Sequence, residues 1–115
     1  MKFSKTKLQG VILIEPEIYE DKRGWFYESY NQKQFNSAGI NVQFVQDNQS
    51  FSKRNTLRGL HFQKKFPQGK LVQCLYGKIF DVAVDINPMS KTFKKHVSYV
   101  LSDENNKQLW IPAGF

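Results

Sequence analysis

Arg58, His61 and Lys70 are the residues whose types and spacing could do chemistry. The first two sit in Leu57-Arg58-Gly59-Leu60-His61-Phe62-Gln63, a run that is otherwise apolar and strand-like. Lys70 follows in Gln68-Gly69-Lys70, which opens the next apolar run, Leu71 to Leu75. A guanidinium fork grips an anion, an imidazole exchanges protons near neutral pH, and a fixed ammonium favours negative charge developing on a carbonyl oxygen. Held in one cavity, the three could bind an anionic ligand and move a proton from it. His61 and Lys70 also have ordinary readings: a hydrogen-bonded histidine in a sheet and a solvated lysine. Strict alternation would put Arg58 and His61 on opposite faces of a strand. Both reach one site only if Gly59 marks a bulge or the strand starts there.

Other groups are weaker on their own. Arg23-Gly24, before an aromatic run, could grip phosphate at close backbone approach, or be a plain turn. Gln46-Asp47-Asn48 suits hydroxyl or base recognition, or is simply a loop. Cys74 is the only cysteine, which excludes a disulfide within the chain and a thiolate metal cluster; it reads as core. His61 and His96 are the only histidines, too few for an all-histidine metal site, and His96 reads as a solvated strand residue. No glycine-rich phosphate loop or dinucleotide fingerprint occurs.

The composition frames the partner. Seventeen basic against ten acidic residues give a net charge of +7 and a pI near 9.6, which favours something anionic: nucleotide, phosphate, nucleic acid or acidic membrane surface. Aromatic and basic residues interleave as in single-strand binders, but aromatic strands are also ordinary β-core, so no nucleic-acid partner is expected. The longest early apolar run, Val11 to Ile14, is far too short for a signal core or a membrane span. The expectation is a soluble cytoplasmic protein with no membrane partner.

The elements that must position these residues are strands. The pattern predicts strands over Val11–Ile14, Trp25–Tyr30, Val42–Gln46, Thr56–Gln63, Lys70–Leu75, Lys78–Ile86, Lys95–Leu101 and from Gln108 to Ile111. Tyr19–Gly24 reads as a polar turn. A single helix is predicted over Gln32–Ala38, with Asn31 as N-cap and Gly39 as stop. In Lys78–Ile86, Phe80, Val82, Val84 and Ile86 share one face, and Asp81, Ala83 and Asp85 the other, which either meets water or lines a polar cavity. Many short strands with turns between them predict an all-β antiparallel sandwich or barrel. Residues 1–115 form a single domain with room for one core. Phe115 follows a turn where another strand should begin, so the chain reads as truncated there.

Taken in order, six blocks say more. Asp21-Lys22-Arg23-Gly24-Trp25-Phe26, Phe44-Val45-Gln46-Asp47-Asn48, Leu57 to Gln63, Gln68-Gly69-Lys70-Leu71-Val72, Phe80 to Ile86 and Gln108-Leu109-Trp110-Ile111-Pro112 occur in sequence. Together they resemble the dTDP-4-dehydrorhamnose 3,5-epimerase family, cupin-type jelly rolls of dTDP-rhamnose synthesis, over essentially the whole chain. The resemblance implies an antiparallel jelly-roll barrel with one short helix, incomplete at its C-terminus: the N-terminal portion of the family domain.

It further implies that His61 is the base that removes protons at C3 and C5, beside the C4 keto group of dTDP-4-keto-6-deoxy-glucose. Lys70 would stabilise the enolate oxygen. Arg23, Glu28, Gln46, Asn48 and Arg58 match positions that hold the nucleotide-sugar, some reaching across the interface of a homodimer. Asp81 matches a carboxylate that orients a second histidine. No metal or organic cofactor is implied. Family members run on beyond this length, and that continuation supplies the second histidine, a tyrosine acid and an aspartate partner for His61. Alternatives to the 3,5-epimerase are an enzyme inverting one centre, a ketoisomerase of a similar nucleotide-sugar, and a non-catalytic nucleotide-sugar-binding fragment.

Overall fold

The computed structural model describes all of residues 1–115 and shows eight strands and one helix. The central sheet has four antiparallel strands, β1 (Lys2–Lys5), β2 (Ile12–Glu15), β8 (Gln108–Ile111) and β5 (Lys70–Gln73), in the order β1-β2-β8-β5. Two antiparallel hairpins complete the β-structure: β3 (Ile18–Asp21) with β4 (Gly24–Tyr27), and β6 (Lys78–Val84) with β7 (His96–Ser102). The chain is thus antiparallel β with one short helix, as the strand pattern predicts, and in the cupin-like jelly-roll class that the family resemblance implies.

Strand β8 organises the interior because it lies between β2 and β5. Its register pairs Trp110 with Ile12 on one side and Leu71 on the other, and Leu109 with Leu13 and Val72. Alternation sends Gln108 and Trp110 to one face and Leu109 to the other. Leu109 packs with Leu8, Val11, Ala83, Val97 and Leu101, on the side covered by the β6–β7 hairpin. Trp110 packs with Ile12, Ile14, Phe35 and Ile40, on the side covered by the helix. Each face of one sheet therefore carries its own apolar cluster, and β8 contributes to both.

The helix α1 (Gln32–Ser37) forms where the local signals place it. Asn31 is extended, and its side-chain oxygen accepts from the Gln34 N–H at 3.1 Å. At the other end Gly39 takes φ +89°, and the N–H groups of Gly39 and Ile40 donate to the carbonyls of Asn36 and Phe35. That paired closure is a Schellman motif. It brings Ile40 back over Phe35, and both side chains are buried in the Trp110 cluster.

Three expectations need correction. Val42–Gln46 and Thr56–Gln63 do not form strands. The single backbone–backbone hydrogen bond made by residues 41–69 runs from the Thr56 N–H to the Lys53 carbonyl. Those runs carry the composition of strands, but a strand also needs a partner to take its N–H and C=O groups, and none lies alongside. Tyr19–Gly24 is not simply a turn, since Ile18–Asp21 pairs residue for residue with Gly24–Tyr27. Strand β1 was not among the predicted strands; Phe3 within it packs edge-on against Phe35 at 5.3 Å.

In β6 the alternation holds, and the structure selects between its two faces. Ala83 and Asp85 are each only 3% exposed, whereas Phe80 is 70% exposed. The aspartate-bearing face turns inward from Asp81 onward, while on the other face Phe80 is exposed and Val82, Val84 and Ile86 are half-buried.

Candidate active site

The residues singled out for chemistry lie on four segments: the β3–β4 hairpin with the residues after it, the unpaired segment 41–69, β5 and β6. Arg23 starts from the β3–β4 turn. Its N–H donates to Asp21 Oδ1 at 2.8 Å, and its guanidinium lies against the same carboxylate, with Nε to Oδ2 at 3.0 Å. The Arg23 side chain holds the Asp21 carboxyl below the usual range, and Asp21 in turn raises the guanidinium. The fork is therefore oriented, and an incoming phosphate would share it with Asp21.

Glu28 follows β4. Both of its oxygens are occupied from the start of the helix: Asn31 Nδ2 donates to one at 3.1 Å and Gln34 Nε2 to the other at 2.8 Å. The cap residue thus does double duty, holding the helix with its oxygen and Glu28 with its amide nitrogen.

Gln46, Asn48, Arg58 and His61 all belong to the unpaired segment 41–69 and are exposed. Gln46 Nε2 donates to Asn48 Oδ1 at 3.1 Å, so these two amides act as a unit. Arg58 Nε donates to Ser52 Oγ at 2.9 Å, which draws the guanidinium towards Phe51 and Ser52. Gly59 takes φ +101°, a conformation that L side chains resist, and the chain folds back so that the His61 ring lies over it. A Cβ at position 59 would stand 3.7 Å from His61 Nδ1. Because no ladder forms here, the kink is a loop reversal, neither the bulge nor the strand start that the alternation argument allowed. Arg58 and His61 are close along the chain but make no hydrogen bond to one another.

Lys70 begins β5. Alternation puts it on the face of Val72, which packs against the cluster of Leu109 and Ala83. Asp81 shares its face of β6 with Ala83, so Lys70 and Asp81 belong to the two surfaces that enclose that cluster. The Asp81 carboxyl is largely buried, its Oδ2 has no hydrogen-bond partner, and burial raises it above the usual carboxylate range, opposed by the Val82 N–H. A buried carboxylate oxygen with no donor is the sort of group a partner side chain or ligand normally satisfies. Asp85, four residues further on and just past the end of β6, behaves oppositely. Burial pushes its carboxyl up, but the hydroxyls of Ser90 and Thr92 and the Asn87 N–H all donate to it, and together they hold it below the usual range. Asp85 is fully occupied in closing the Asn87–Thr92 turn.

Sequence reasoning missed Gln108. Its amide nitrogen donates to the Ser29 carbonyl and to Gln73 Oε1, both at 2.9 Å, from a fully buried position. The bond ties the residue next to Glu28 to the strand that starts with Lys70. A glutamine opening an apolar strand carried no signal for this, since the partners are distant in sequence. His96 is exposed and Cys74 packs at the margin of the Leu109 cluster, as their sequence contexts predict. No helix is long and apolar enough to cross a membrane.

Comparison with known proteins identifies what this arrangement is similar to. The family model for dTDP-4-dehydrorhamnose 3,5-epimerase matches residues 5–115. A dTDP-4-dehydrorhamnose 3,5-epimerase of Methanothermobacter thermautotrophicus is 53% identical over 114 residues, covering 99% of this chain and 62% of that protein. One from Escherichia coli is 51% identical over 117 residues, covering the whole of this chain and 63% of that protein. Among solved structures, a dTDP-6-deoxy-D-glucose-3,5-epimerase of Legionella pneumophila in complex with dTDP-4-keto-L-rhamnose superposes with a TM-score of 0.94 at 50% identity. It covers 99% of this chain and 61% of that one. The chain spans a little over three-fifths of the length of the relatives it matches.

Proposed function

We propose, from the premise that the chain belongs to the dTDP-4-dehydrorhamnose 3,5-epimerase family, that it takes part in the epimerisation of dTDP-4-keto-6-deoxy-glucose at C3 and C5. The observation that carries this reading is the near-complete superposition on a relative holding dTDP-4-keto-L-rhamnose. That molecule is the epimerised 4-keto sugar, with the carbonyl that makes its neighbouring C–H bonds acidic.

In this reading His61 takes the proton from the carbon beside C4. The electron pair moves into a C–C double bond, and negative charge settles on the C4 oxygen. The Lys70 ammonium, at the edge of the central sheet, stabilises that oxygen. A proton delivered by an acid or a water molecule to the opposite face of the planar carbon then inverts the centre. Arg23, Arg58, Glu28, Gln46 and Asn48 hold the nucleotide part, two guanidinium forks serving the diphosphate and the amide pair and carboxylate serving polar atoms. Asp81 orients a second histidine, a role that its buried, unpartnered oxygen supports. The net charge of +7 suits a ligand with two phosphates. A homodimer and a cytoplasmic location belong to the same proposal.

The test is turnover. With dTDP-4-keto-6-deoxy-glucose supplied, the epimerised 4-keto sugar should accumulate by NMR with the wild-type chain. Loss of the base in His61→Ala should abolish it, and Lys70→Ala should lower the rate by about 10²–10³, the usual effect of removing one stabilising donor. Unchanged sugar in the presence of tight dTDP binding would instead make the chain a nucleotide-sugar-binding unit.

A further inference from the structure

The position of Lys70 is set by a contact that its own side chain does not make. Gly69, the residue before it, lies directly against the indole of Trp110. A Cβ built on Gly69 would come within 3.1 Å of Trp110 Cζ2 and 3.2 Å of Cζ3, and closer still to Cη2. The approach to Cη2 is shorter than real Cβ atoms show and the other two are tight, so something must move. Gly69 does not occupy the left-handed region, so its need for glycine is one of room and not of backbone angle.

The geometry follows from register. Trp110 pairs with Leu71, and Gly69 is the diagonal neighbour on the same face, within reach of an aromatic ring across two strands. The two contact partners differ in freedom. Trp110 is 6% exposed, cross-paired to Ile12, packed with Ile14 and Phe35, and met edge-on by Phe44 at 5.8 Å. Gly69 is exposed at the end of the unpaired segment. Close-packed interiors yield less than exposed chain, so bulk added at position 69 displaces the chain and not the ring. What is displaced is the start of β5, where Lys70 stands. Phe44 lies two residues before Gln46, so the same indole also seats the segment that carries the Gln46–Asn48 pair.

We propose that Trp110 and Gly69 are positioning residues for this site, the flat indole against the bare glycine fixing where the Lys70 ammonium stands. The proposal rests on the reading that Lys70 stabilises the developing enolate. Nothing in it depends on either residue touching the substrate.

A double-mutant cycle tests it. Gly69→Ala should reduce kcat by about 10²-fold, the cost of a misplacement near 1 Å, with KM unchanged within about twofold. Trp110→Phe removes the outer ring atoms that the new methyl would strike. Gly69→Ala in the Trp110→Phe background should therefore cost less than about threefold, relative to Trp110→Phe alone. Amide cross-peaks of Lys70 and Leu71 should shift in Gly69→Ala and return towards their starting places in the double variant. Should Gly69→Ala fail to fold while the double variant folds, the contact is equally supported. Equal losses from Gly69→Ala in both backgrounds, or a Gly69→Ala protein with unmoved Lys70 and Leu71 peaks, would overturn the proposal. If the wild-type chain does not turn over at all, the functional reading fails, but the cross-peaks still decide whether Trp110 and Gly69 place Lys70.

Discussion

Asp81 and Asp85 fall on the same side of the chain, yet their carboxyls are shifted in opposite directions from the ordinary value, which shows how little residue type alone decides. Asp85 receives three donors and stays charged in a buried place; Asp81 has a buried oxygen with none. The consequence is measurable. Above the ordinary carboxylate value of 3.8 and up to the raised folded-state value, folded protein holds the Asp81 proton that unfolded protein has lost. Stability is therefore higher at low pH and falls as pH rises through that window. Asp81→Asn should flatten that fall and raise the thermal midpoint at neutral pH, as followed by circular dichroism; an unaltered pH profile would show that Asp81 is already partnered. At this scale the sequence marked His61, Lys70 and Asp81 as residues with chemistry, through their place in ordered blocks. Their environments were beyond it, because Asp85's donors come from a turn and Gln108's acceptors from distant segments.

Helix α1 and strand β8 show what local pattern can and cannot carry. The helix was readable to within a residue at its C-terminus, because Asn31 and Gly39 act on bonds only a few residues away. Replacing Asn31 with Ala should cost about 1 kcal/mol in chemical denaturation, the usual worth of an N-cap. The same change should weaken dTDP-sugar binding, since Asn31 also holds Glu28. A loss of stability with full affinity would separate the helix from the site. Strand β8 was readable as a strand from Gln108 to Ile111, yet its role as the bar that anchors Ser29, Gln73 and Gly69 was not. The runs at 42–46 and 56–63 failed for a related reason: strand composition is local, and strand pairing is not. Periodicity likewise divided β6 into two faces without saying which one the core would take.

At the scale of the molecule, the most telling feature is how much apolar surface stays in water. Val45, Leu57, Leu60 and Phe62 on the unpaired segment and Phe80 on β6 are all exposed. Surfaces of that kind mark contact with another chain or segment. The proposed homodimer predicts a sedimentation mass of twice 13.5 kDa at micromolar concentration; a clean 13.5 kDa species would contradict it. Antiparallel architecture was evident from strand count and turn spacing, while the separation into two apolar clusters on either side of β8 required coordinates. The central claim concerns one proton transfer, and one measurement reaches it most directly. The chain is mixed with dTDP-4-keto-6-deoxy-glucose in deuterated water, and the C3 and C5 proton signals are followed by NMR. The account predicts that deuterium enters at both carbons, and that His61→Ala stops it at both. Sugar that binds but keeps both protons, or exchange that persists without His61, would contradict it.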